Sequence, residues 1–187
     1  MKKFVVSAVL SASLLSCLNA ASIDQKSLNV SFEGYKTANK VGTPGTIKKV
    51  KYTFGKDKKS IKGLLNGATA TFSPKNIDMG ADPVTKNIVD VFFKTLNNDE
   101  DFNVQIINVI EGENVGLLTA KVNIGGQSQI VGLTYTIEDK KFEAKGTLNL
   151  LAFENGEKAL QDLSKAAAGH GGISWPVVDL TLTAKVK

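Results

Sequence analysis

The strongest constraint in this chain is a two-residue rhythm that returns eight times. Leu28, Val30 and Phe32 alternate with Asn29, Ser31 and Glu33. Val50, Tyr52 and Phe54 alternate with Lys49, Lys51 and Thr53, and Ala68, Ala70 and Phe72 with Thr69 and Thr71. Phe102, Val104 and Ile106 follow, with Ile107 and Val109 adding apolar groups on the other face. Leu118 to Ile124, Val131 to Ile137, Phe142 to Leu150 and Val178 to Val186 keep the same alternation. Every second side chain of an extended strand points to one face, so each run predicts a strand with one apolar side.

The breaks between runs predict antiparallel neighbours. Gly125-Gly126 supplies two residues that tolerate positive φ, as a two-residue hairpin turn requires. Glu113-Asn114 and Asp139-Lys140 are polar breaks of hairpin length, and Lys56-Asp57-Lys58-Lys59 reads as a charged hairpin tip. Pro44, Pro74, Pro83 and Pro176 are all expected outside strand interiors, where a missing N–H interrupts no ladder.

Two segments change period. Asp82-Pro83 predicts a helix start, with Asp82 as cap and Pro83 at the first turn. Val84, Ile88, Val91, Phe92 and Leu96 then share a face, widened by Phe93. A second helix is predicted from Asn155 to Ala167, before the loop Gly169-His170-Gly171-Gly172. The fold class expected is all-β: an eight-stranded antiparallel lipocalin-like barrel with two helical insertions, wide enough to be filled or to hold one small ligand.

The beginning of the chain reads as an address. Lys2 and Lys3 precede a run of twelve apolar and small residues from Phe4 to Leu15, and Leu18-Asn19-Ala20-Ala21 offers a cleavage site. Residues 1–20 are expected to be a secretory signal peptide and residues 21–187 the folded domain, periplasmic or secreted. Leu14-Leu15-Ser16-Cys17 offers the alternative of a lipoprotein anchored through Cys17. No later apolar run is long enough to span a bilayer as a helix, which takes roughly 20 residues.

Composition then excludes chemistry. All 23 basic residues are lysines, and there is one Cys and one His. A Cys/His zinc site cannot be assembled from these residues, and no Arg offers a bidentate clamp for carboxylate or phosphate. Scattered lysines without arginine make a poor nucleic-acid surface. A Ser-His-acid arrangement would need a Ser beside His170, which the spacing does not suggest. Asp99-Glu100-Asp101 lacks the calcium-loop spacing and reads as a solvated turn. Neither a cofactor nor enzymatic activity is expected.

What remains is the inward face. Phe32, Tyr52, Phe54, Phe72, Phe92, Tyr135 and Phe142 are interleaved with Ala68, Ala70, Ala120, Ala144 and Gly146. Small residues beside large ones leave room along a barrel axis for an alkyl or isoprenoid chain. The candidate ligand-binding residues are Phe32, Tyr52, Phe54, Phe72, Phe92, Ala120, Leu133, Tyr135, Phe142, Ala144, Leu148 and Trp175.

The order of these features resembles the YceI-like family. The resemblance is carried by Ser73-Pro74-Lys75-Asn76-Ile77-Asp78-Met79-Gly80, the helix with Phe92-Phe93, and Phe102 opening a strand. Val131-Gly132-Leu133-Thr134-Tyr135, Gly146-Thr147-Leu148-Asn149-Leu150 and Trp175-Pro176-Val177-Val178-Asp179-Leu180 continue it. Gly80-Ala81-Asp82 stands where many members carry basic and His-containing residues. The resemblance implies a lipocalin-like barrel, export to the periplasm, binding of long polyisoprenoid or fatty-acyl amphiphiles, and a homodimer. The function expected is therefore an exported carrier or scavenger of a long-chain amphiphile: a polyisoprenoid, an isoprenoid quinone or a fatty-acyl derivative. The alternative is a structural or interaction barrel with a filled core, acting through a dimer or partner surface near Ile106-Ile107-Val109.

Overall fold

The computed structural model describes residues 22–187. The expected signal peptide, and the Cys17 anchor that is its alternative, lie outside the described residues.

Ten antiparallel strands form one curled sheet in the order β3-β4-β6-β7-β8-β9-β10-β1-β2-β5. They are β1 (Asn29–Lys36), β2 (Val41–Ile47), β3 (Lys51–Thr53), β4 (Thr69–Phe72), β5 (Ile77–Asp78), β6 (Phe102–Glu111), β7 (Val115–Ile124), β8 (Gln127–Glu138), β9 (Lys141–Asn149) and β10 (Ser174–Lys185). All eight expected strands are present, and β2 and β5 are additional. The end strands β3 and β5 do not pair with each other, so the sheet is a half-barrel rather than a closed one.

β2 hides from periodicity because its sequence, Val-Gly-Thr-Pro-Gly-Thr-Ile, holds few apolar residues and a proline. The expectation for Pro44 is corrected accordingly: it lies inside β2, opposite Glu33. The strand tolerates it because β2 is bound on its far side only at Thr46 and Ile47, by the two residues of β5. Pro176 likewise falls within β10. There the β9 ladder begins only at Val177, and the β1 ladder shifts register between Gly34 and Lys36. In both places the missing N–H meets an existing gap.

Burial follows the alternation. Leu118, Ala120, Val122 and Ile124 of β7 and Val131, Leu133 and Tyr135 of β8 are buried. The two apolar faces of β6 have a local cause, a β-bulge between Ile106 and Asn108. Ile106 lines the interior, Ile107 is the extra residue and stands exposed, and Val109 returns to the core. The turns at Gly125-Gly126 and Asp139-Lys140 have positive φ at both residues, as expected for primed hairpins.

The helices stand against the sheet. α1 (Ile61–Leu65) is capped by the Ser60 hydroxyl, which accepts from the Gly63 N–H, and it follows the exposed loop Lys56–Lys59 within the connection between the antiparallel partners β3 and β4. α2 (Asp82–Asn87) runs into a π-helical stretch (Ile88–Phe93) and then α3 (Lys94–Asn97). Asp82 is the first helical residue and not the cap; Ala81 holds that place, without a side-chain cap bond. Phe92 and Phe93 of the π-helical stretch are both buried. α4 (Gly156–Ala166) buries Ala159, Leu160 and Leu163.

One end of the interior is solid. Tyr135, Phe142 and Ala144 are 0% exposed, and the Tyr135 and Phe142 rings lie 5.1 Å apart. Gly116 makes this packing possible: a Cβ there would stand 2.4 Å from the Tyr135 ring and 2.3 Å from the Ile110 carbonyl oxygen. Gly116→Ala is expected to destabilise the fold by about 1–3 kcal/mol through overpacking. Urea unfolding checks this as a lower midpoint with an unchanged slope.

Candidate functional site: an apolar cavity with a polar mouth

Beside the solid end the half-barrel holds a partly open cavity of about 240 Å³, lined almost wholly by apolar side chains. Its walls come from both arms of the sheet. Phe32, Leu180 and Leu182 stand on the β1–β10 side, Tyr52, Phe72 and Val104 on the β3–β4–β6 side, and Ala120 and Leu133 between them. Val84, Ile88, Phe92, Phe93 and Leu96 line it from the helical segment. Four rings form a continuous aromatic row: Phe72 to Phe102 at 5.2 Å, Phe102 to Phe93 at 5.6 Å, and Phe93 to Phe92 at 5.1 Å. Offset and edge-on contacts at these spacings add about 0.5–1.5 kcal/mol per pair beyond burial, so this wall is stiff. Tyr52 and Phe54 stack separately at 5.7 Å. Gly45 gives Phe32 its place, since a Cβ there would stand 2.5 Å from that ring.

Of the twelve residues singled out from sequence, nine line this cavity: Phe32, Tyr52, Phe54, Phe72, Phe92, Ala120, Leu133, Leu148 and Trp175. Tyr135, Phe142 and Ala144 do not. They point inward, as their alternation requires, but they fill the solid end of the barrel. Period-2 alternation gives the face of a strand and not the level along the axis, so it could not separate these three. Alternation also identified Leu28, Val30, Val104, Leu180 and Leu182 as inward, although none was chosen. Met79 belongs to no regular run and carries no such signal.

The mouth is polar. β1 ends and β10 begins there, with Lys36 opposite Ser174. Both line the cavity, together with Thr43 of β2 and His170 of the glycine-rich loop. His170 Nδ1 lies 2.8 Å from Ser174 Oγ, which also receives a hydrogen bond from the Ser164 hydroxyl at 2.8 Å. A Ser beside the only His is thus present, contrary to the sequence reading. The loop folds back, so residues four apart meet. Among the described residues no carboxylate hydrogen-bonds His170, and the third member of a hydrolytic triad is missing from this arrangement. Burial, and next the charge of Lys36, push the His170 pKa below 6.5.

Trp175 closes the rim. Its indole N–H donates to the Thr37 carbonyl at 2.8 Å, tying β10 to the β1–β2 turn. Lys40 Nζ stands 4.5 Å from the Tyr35 ring centre and 5.8 Å from that of Trp175. The Tyr35 hydroxyl donates to Asp179 at 2.5 Å across the same ladder, and Thr147 donates to the other Asp179 oxygen at 2.8 Å. The bond to Asp179 is the first cause of a Tyr35 pKa pushed up to about 12, and the same bond is the first cause holding Asp179 below the usual carboxylate range.

No known family model matches the sequence, and no curated protein matches it. Solved structures do share its architecture. The chain is similar to Burkholderia cenocepacia BcnA at 17% identity and a TM-score of 0.62, covering 88% of this chain and 99% of that one. It is similar to a polyisoprenoid-binding domain from Saccharophagus degradans at 15% identity and a TM-score of 0.54, with 90% and 99% covered. A YceI protein from Campylobacter jejuni aligns at 15% identity and a TM-score of 0.56, covering 81% and 88%. The class defined by the sheet and its cavity is a lipocalin-like half-barrel. More particularly, the fold is that of the YceI-like proteins.

The His170 environment generates a measurable expectation. Its imidazole should titrate below 6.5 by NMR, and Lys36→Met should raise the value only part of the way back, because burial is the larger cause. A depressed folded-state pKa contributes stability that is fully present above pH 6.5 and is lost as pH falls through the folded value. His170→Gln should flatten that slope in pH-dependent unfolding.

Proposed function

We propose that the chain is an exported YceI-like carrier or scavenger that holds a long-chain amphiphile, such as a polyisoprenoid, an isoprenoid quinone or a fatty-acyl derivative. The observation that carries this reading is the apolar cavity of about 240 Å³ on the inner side of the sheet. Protein interiors pack to crystal density, and an empty apolar space of this size costs stability unless something occupies it. The void also speaks against the filled-core alternative. A Saccharophagus degradans protein of the same fold is a polyisoprenoid-binding domain, which supports the ligand class. The signal-peptide layout of residues 1–20 supports a periplasmic or secreted location.

Binding on this reading needs no catalysis. The chain enters the void and exchanges water contact for the aromatic row and the aliphatic walls. Each methylene buried contributes about 0.8 kcal/mol, or roughly fourfold in affinity.

Two measurements test the proposal. Organic extraction of protein purified from its native host, followed by mass spectrometry, should release a stoichiometric long-chain lipid. Consistently empty protein that also takes up no alkyl chain would sink it. Second, affinity for n-alkyl alcohols should rise roughly fourfold per methylene and level off when the chain outgrows the cavity. Ala120→Phe, which places a ring in the cavity wall, should lower affinity for the longer alcohols more than tenfold while leaving the circular dichroism spectrum unchanged. Equal affinity in the variant would place the chain elsewhere.

A further inference from the structure

The cavity is apolar along its length but not at its mouth, and the groups there have one character. Lys36 continues the inward parity of Val30 and Phe32, and it is among the residues that line the cavity. Among the described residues it has no hydrogen-bond or salt-bridge partner, whereas the one acid on each of β1 and β10 is engaged elsewhere. Glu33 and Asp179 both accept from the Tyr35 hydroxyl, and Asp179 is further occupied by Thr147. A side-chain carbon at Gly169 would stand 3.7 Å from Lys36 Nζ, so the loop passes close to the ammonium without covering it.

A second observation is independent of the charge. Thr43 Oγ1 is buried, lines the same cavity and has no hydrogen-bond partner. A buried hydroxyl left unpaired costs about 1–3 kcal/mol. Thr43 lies opposite Gly34 on β1, and Lys36 lies opposite Ser174 on β10. Thr43, Lys36, Ser174 and His170 are therefore neighbours by register and by the His170–Ser174 contact, and all four line one apolar space.

We propose that Lys36, Thr43, Ser174 and His170 form a headgroup subsite for an oxyanion, a carboxylate or a phosphate ester, at the end of the bound chain. The inference rests on the lipid-binding reading above and specifies its ligand as an anionic single-chain amphiphile. The ammonium and the Thr43 hydroxyl are donors for the oxygens of one head, with Ser174 and His170 beside them, and hydrogen bonds to a charged group are worth more than those to a neutral one. No arginine fork is needed, because a lysine at the end of a cavity acts as a point charge and the cavity wall sets the direction. The head would give Thr43 the partner it lacks and neutralise Lys36, while the tail fills the void.

The test compares one tail with different heads. Decanol, decanoate and decyl phosphate are titrated calorimetrically into the protein, with inorganic phosphate alone as a fourth probe. The proposal expects at least one anion to bind about 10–100-fold more tightly than decanol. The tighter of the two anions identifies the head as carboxylate or phosphate. Lys36→Met should bring that ratio to near one. Lys36→Arg should keep a preference for the anion. Lys185→Met, the same charge change at the far end of β10, should leave the ratio unchanged. Equal binding of decanol and both anions overturns the headgroup proposal and leaves the carrier reading standing. So does an equal loss of preference in Lys36→Met and Lys185→Met, or inorganic phosphate binding as tightly as decyl phosphate. Failure of all three chains to bind overturns both.

Discussion

The pairing of β1 with β10 is the constraint on which the rest depends. It joins residues about 150 apart in sequence, from Asn29 opposite Thr183 to Lys36 opposite Ser174. Without it, β6 to β10 would be a meander with two open edges and no interior. With it, the chain's first strands are carried round to face β3, β4 and β6 across a common space. The same ladder sets Phe32 beside Leu180 in the cavity wall and Lys36 beside Ser174 at the mouth. Its outer face is held by the Tyr35 to Asp179 hydrogen bond, and its upper end by the Trp175 N–H to the Thr37 carbonyl. A long-range antiparallel pairing of this kind is entropically costly to close, which accounts for so many side-chain contacts gathering along it.

The interior divides its volume unevenly, and that division makes a cavity out of a core. At one end Tyr135, Phe142 and Ala144 fill the space to native density, with Gly116 removed from the path of the tyrosine ring. In the middle, alanines at 68, 70 and 120 face aromatic rings that are pinned to each other and cannot collapse inward. A stiff wall opposite small residues keeps a void open where flexible aliphatic side chains would relax into it. The π-helical stretch contributes to this wall by presenting Phe92 and Phe93 together.

How much of this was legible in the sequence varied with the physics of each element. The strands at 115–124, 127–138 and 141–149 were plain because burial of one face leaves an alternation that needs no tertiary knowledge. β2 was invisible because Pro44, Gly42 and Gly45 are tolerated by an edge that is mostly unpaired and by the ring of Phe32 lying over Gly45. The apparent second apolar face at Ile107 was a bulge, in which one inserted residue reverses the parity of all that follow. Nine of the twelve residues chosen for the site do line the cavity, because inward-facing positions are readable strand by strand. Tyr135, Phe142 and Ala144 were misplaced because position along the barrel axis depends on strand stagger, which only the pairing registers specify.

The sequence by itself determined an all-β sheet, two helical segments, an apolar interior, and the absence of arginine and of a Cys/His ligand set. These follow from side-chain type and local period, which are properties of neighbouring residues. Only the tertiary structure decided that the barrel is open, that one end is solid and the middle void, and that Lys36, Thr43, His170 and Ser174 meet at the mouth. Those facts depend on the registers of β1 against β10 and β2, and on a glycine-rich loop that folds His170 back onto Ser174. Register couples residues far apart in the chain, and no local pattern encodes it.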